Sequence, residues 1–143
     1  HAYLKSLGAT DVIERSELAG PARPLGKERW AGGVDTVGSN TLANVLSMTK
    51  YGGAVAACGL AGGMDLPSSV APFILRGVSL LGIDSVMAPR ELRNEAWQRI
   101  EKDLDREHLR AISTLMPFDA LPNAAHDIVE GKVRGRLVID MSA

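Results

Sequence analysis

The chain holds 143 residues, 45% hydrophobic and 23% charged, with a formal net charge of -1. That length suits one domain, and the near-neutral balance offers no electrostatic footprint for nucleic acid or an anionic membrane. Cys58 is the one cysteine, which excludes an intramolecular disulfide and fits a reducing, cytoplasmic setting.

No apolar run approaches the ~18–20 residues that span a bilayer. Residues 1–8 lack the basic start, apolar core and cleavage site of a secretory signal. They read as a helix already under way, with Leu4 and Leu7 on one side and Gly8 as its stop. With no initiator Met, the chain is expected to be a fragment or a processed product.

Asp11-Val12-Ile13-Glu14 is a short strand candidate, and residues 16–30, broken by Gly20, Pro21, Pro24 and Gly26, read as a loop. Gly33 to Gly38 is the next strand. Ser39 or Asn40 is placed to cap a helix from about Thr41 to Lys50, with Leu42, Val45, Leu46 and Met48 as its apolar face. Gly52-Gly53 is expected to end that helix. Ala54 to Cys58 follows as an unbroken apolar strand, the pattern of a parallel strand covered on both faces, and Cys58 within it reads as a small core hydrophobe.

Val70 to Arg76 predicts a short helix, and Val78 to Ile83 a strand. Pro89 suits a first helical turn. Beyond it, residues 90–105 predict a long amphipathic helix that buries Leu92, Ala96, Ile100 and Leu104. A last unit holds a strand near Leu115–Phe118, a helix from about Asp119 to Glu130 and a strand from Arg136 to Asp140. Strands alternating with helices through short links predict a doubly wound parallel α/β sheet.

Open α/β sheets bind ligands beyond the carboxyl ends of their strands. Three segments belong there: Asp35-Thr36-Val37-Gly38, Cys58-Gly59-Leu60-Ala61-Gly62-Gly63 and Gly82-Ile83-Asp84-Ser85. Glycine at such turns lets the backbone approach a flat ligand closely, since no Cβ intrudes. Each glycine also serves as an ordinary tight turn. Three turns on one rim favour a ligand site. No Gly-x-Gly-x-x-Gly occurs, so a pyrophosphate loop is expected upstream of this chain. His1, His108 and His126 lack ligand spacing, and no metal site is expected.

The runs Trp30 to Gly38, Tyr51-Gly52-Gly53, Cys58 to Gly63, Pro72 to Val78 and Gly82 to Val86 resemble the medium-chain dehydrogenase/reductase superfamily. Within it, the chain is most similar to the zinc-independent quinone oxidoreductase branch and its acryloyl-CoA reductase group. The resemblance implies a partial Rossmann-type fold, strands three to six, over residues 1–112. It implies that residues 113–143 return to a GroES-like catalytic domain.

It further implies NADP as cofactor and a hydride passed to an activated double bond or quinone of a small-molecule substrate. Cys58, Gly59, Leu60, Ile83, Asp84 and Ser85 would line the nicotinamide, with Asp35 at the neighbouring turn. Arg15 would meet the adenosine 2′-phosphate, whose dianion suits a guanidinium. Lys132 falls where related reductases turn a basic residue to the same phosphate. A homodimer would form through the strand Val78–Ile83. No residue stands out as a proton donor, so the chain alone is expected to be inactive. The alternative is a non-catalytic dimerisation or assembly module, or a proteolytic remnant.

Overall fold

A computed structural model describes residues 1–142. It separates into two units, residues 1–88 and a second beginning at Pro89. The first unit contains α1 (Ala2–Ser6), β1 (Trp30–Asp35), α2 (Ser39–Ser47), β2 (Thr49–Ala57), α3 (Ala71–Arg76) and β3 (Ser79–Gly82). Its sheet is parallel with spatial order β1-β2-β3, as the strand–helix alternation predicts.

The register explains where the core lies. Gly33, Val55 and Leu80 form one rank across the sheet, and Val34, Ala56 and Leu81 the next. Successive ranks point to opposite faces. Val55 packs with Leu42, Leu46 and Val78, flanked by Val45, Phe73 and Leu80. Val55 and Leu46 are 0% exposed, and burying one such aliphatic side chain stabilises by roughly 1.5–3 kcal/mol. Val34 is 77% exposed and Leu81 51% exposed. The apolar run of β2 therefore does not mark burial on both faces within this unit: its own helices cover one face.

Three local expectations are corrected. Residues 11–14 form no strand, because a strand needs a ladder and no described strand lies alongside them. Arg15–Leu18 instead forms one 3-10 turn. α2 ends at Ser47, and β2 starts at Thr49, opposite Trp30. Gly52-Gly53 lies inside β2, where the register slips between Trp30 and Gly32 and Gly52 takes φ 71°. These glycines serve a bulge and do not stop a helix. Neither Ser39 nor Asn40 caps α2, which follows Gly38 without a side-chain cap.

Arg76, at the end of α3, locks the layers together. Its guanidinium donates to Ser47 O at 2.8 Å and Gly26 O at 2.7 Å, and it pairs with Glu28 at 3.3 Å. It thereby satisfies a carbonyl at the open end of α2.

The second unit holds α4 (Arg90–Asp103), α5 (Arg106–Ile112), β4 (Ser113–Pro117), α6 (Leu121–Val129) and β5 (Arg136–Asp140). β4 and β5 pair in parallel, from Ser113 opposite Arg136 to Pro117 opposite Asp140. The helix expected through Asp105 breaks at Leu104, which is extended (φ -81°, ψ 127°). Asp105 opens α5 by accepting from Glu107 N at 2.7 Å and His108 N at 3.0 Å, a side-chain N-cap. The stripe Leu92, Ala96, Ile100, Leu104 exists but is exposed, which corrects its expected burial.

Candidate functional site at the carboxyl rim of the sheet

The three glycine-tipped turns leave the sheet side by side. Asp35, Ala57 and Gly82, the last residues of β1, β2 and β3, share one rank. Parallel strands ending flush put all three following turns on one rim, where the chain direction points unpaired backbone groups toward a ligand.

The turns are cross-braced. Cys58 N donates to Asp35 O at 2.9 Å and Ile83 N to Ala57 O at 2.9 Å. Gly62 N donates to Val37 O at 2.7 Å, and Gly38 bridges Gly63 in parallel. Gly38 takes φ 75°, and a Cβ there would lie 2.4 Å from Gly63 O. At Gly59 a Cβ would fall 2.6 Å from Thr36 O. Both glycines are thus required by turn-on-turn contact, whatever the ligand.

Between the second and third turns opens a cleft of about 490 Å³, lined by Ala57, Cys58, Gly59, Leu60, Gly82, Ile83 and Asp84. Five of the residues singled out from sequence therefore meet in one hollow. Leu60 and Ile83 are exposed apolar side chains there, suited to the face of a flat ring. Cys58 is exposed, just past the end of β2, so it is not a core hydrophobe. Its Sγ lies 3.4 Å from Asp35 O.

The two acidic residues act on the backbone. Asp35 is buried, and its carboxylate accepts from Val37 N at 3.2 Å and Gly38 N at 2.8 Å. Asp84 accepts from Val86 N at 2.8 Å and Met87 N at 3.1 Å. These bonds, Met87 first, hold its carboxyl below the ordinary value of 3.8. Ser85 follows outside the lining residues and is exposed.

Arg15 stands exposed at the start of the 3-10 turn. Its acidic neighbours are engaged elsewhere: Glu14 with His1 at 3.0 Å and Glu17 with Arg29 at 3.2 Å. Lys132 belongs to the second unit and pairs with Glu130, which also meets His126. Sequence reasoning missed Asn44, a buried amide on α2. Its signal was a small polar residue amid the apolar face of Leu42, Val45 and Leu46.

Among the described residues no three His, Cys, Asp or Glu side chains gather as a metal site, and no helix is long and apolar enough to cross a membrane.

A family model described as zinc-binding dehydrogenase matches residues 1–102. Probable acrylyl-CoA reductase AcuI of Escherichia coli (strain K12) is 49% identical over 99% of this chain and 44% of the relative. Putative quinone oxidoreductase YhfP of Bacillus subtilis (strain 168) is 44% identical over 97% of this chain and 43% of the relative. A crystal structure of E. coli K-12 YhdH with bound NADPH matches with TM-score 0.91 and 50% identity, over 97% of this chain and 43% of that one. One of Bacillus subtilis yhfP with NAD bound matches with TM-score 0.92 and 43% identity, over 98% of this chain and 43% of that one. The chain spans less than half the length of these relatives.

Proposed function

The chain belongs to the zinc-binding dehydrogenase family, and from that premise we propose that it forms the nicotinamide-facing part of an NADPH-dependent reductase acting on an enoyl thioester or a quinone. One observation carries the proposal: the flush rim at Asp35, Ala57 and Gly82, with a cleft bounded by Cys58, Gly59, Leu60, Ile83 and Asp84. Similarity to an acrylyl-CoA reductase, a quinone oxidoreductase and an NADPH-bound structure supports the chemistry.

The residues present fit a nicotinamide. Leu60 and Ile83 offer apolar surface to a ring face, and the glycine-tipped turns bring backbone groups close enough to hold a carboxamide. Asp35 and Asp84 fix the shape of two of those turns, and Ser85 continues the third. A bound nicotinamide supplies the hydride; the chain's part is to orient the ring and keep water from one face. Arg15 is assigned to the adenosine 2′-phosphate, with Lys132 as a second basic contact. The acidic neighbours of Arg15, engaged elsewhere, support the first assignment; the Lys132–Glu130 pair weakens the second.

Residues 113–143 are assigned to the catalytic domain of the longer protein. A homodimer is assigned to the outer edge of β3, whose strand pairs on one side only, and the protein to the cytoplasm. The chain alone is expected to be inactive. The test is NADPH oxidation with acryloyl-CoA or a quinone, by the full-length reductase and by residues 1–143. The reading expects turnover by the first only. Turnover by the second, or none by either, overturns it.

A further inference from the structure

The 3-10 turn that carries Arg15 has little to hold it in place. It is one turn of four residues, in which only Leu18 is buried. The Glu17–Arg29 pair that touches it is solvent-exposed, and exposed pairs fix geometry weakly. The firm tether is Asn44. This residue sits in the middle of α2 and is 6% exposed. Its Nδ2 donates to Leu18 O at 3.1 Å, Gly20 O at 2.8 Å and Asn40 O at 2.9 Å. Two hydrogens thus serve three carbonyls, two of them on the chain that leaves the turn. α2 itself begins directly after the Asp35–Gly38 turn of the rim. One amide therefore couples the arginine-bearing turn to the helix that springs from the nicotinamide side.

We propose that Asn44 is a positioning residue for dinucleotide choice: it holds the turn that presents Arg15, and through it sets the preference for a 2′-phosphorylated cofactor. This rests on the assignment of Arg15 to the 2′-phosphate. A guanidinium binds a phosphate through directed hydrogen bonds. A turn displaced by an ångström therefore loses the phosphate while the shared nicotinamide contacts persist.

The experiment is steady-state kinetics of the full-length reductase with NADPH and with NADH. Asn44→Asp keeps the size but turns a donor into an oxygen facing three carbonyls. It is expected to raise KM for NADPH by about fivefold to tenfold, with kcat and the KM for NADH held within about twofold. Equal rises for both cofactors signify a general packing defect and overturn the proposal, as does no change.

Arg15→Ala separates the two claims. If it leaves the NADPH-to-NADH ratio intact, the 2′-phosphate assignment fails. If it abolishes the preference while Asn44→Asp does not, the positioning role alone fails. In the Arg15→Ala background, Asn44→Asp is expected to add less than about twofold, since coupled residues are not additive. Should Asn44→Asp not fold, Asn44→Ala removes the donor without adding a charge, and the same ratios decide.

Discussion

Asp35 Oδ2 accepts a hydrogen bond from Gly38 N at 2.8 Å, and the residues between them turn β1 into α2. The carboxylate is buried and also serves Val37 N, so the turn is shaped from within. Asp35→Ala leaves the buried Gly38 N–H and the half-buried Val37 N–H without this acceptor, at a cost of about 1–3 kcal/mol. Gly38→Ala meets both a positive φ and the Gly63 carbonyl, and strain alone costs about 1–3 kcal/mol. Urea unfolding of the two variants checks both values. A loss below ~0.5 kcal/mol in either contradicts the turn's geometry.

The one-sided sheet makes a second prediction. Leu46→Ala empties a fully buried site and is expected to cost about 2–5 kcal/mol. Val34→Ala, on the uncovered face, is expected to stay within about 0.5 kcal/mol in the chain alone. Thermal or urea unfolding of residues 1–143 distinguishes them, and equal losses refute the burial pattern.

Asp84 predicts a pH response. Its folded carboxyl titrates below the ordinary value of 3.8, because Met87 N and Val86 N donate to its charged form. A depressed carboxyl contributes stability that is fully present above the unfolded value and lost as pH falls through the folded one. The 85–87 turn is thus expected to be intact at neutral pH and to loosen only in acid. NMR titration of the Val86 and Met87 amides is expected to give midpoints below 3.8. Midpoints at or above that value contradict the bonds.

Much of this was legible in the sequence where local chemistry and tertiary structure agree. The rim was readable because Gly38, Gly59 and Gly82 punctuate apolar strands, and parallel strands align such ends. Legibility failed where the partner decides. Val12-Ile13 looks like a strand but finds no ladder, and Leu92, Ile100 and Leu104 form a stripe without cover. Gly52-Gly53 after a helical pattern read as a stop, whereas the pairing of Trp30 with Thr49 recruits it into β2 as a bulge. Leu104 broke a continuous apolar period because the Asp105 carboxylate caps a new helix. Asn44 interrupts an apolar face, which hydropathy registers, but its role lies in two carbonyls 24 and 26 residues away that hydropathy does not register.

The most direct test of the rim as a nicotinamide site is hydrogen–deuterium exchange on the full-length protein, with and without NADPH. The account predicts slowed exchange at the amides of residues 58–60 and 83–85. Protection confined to other segments, with these two turns unchanged, would contradict it.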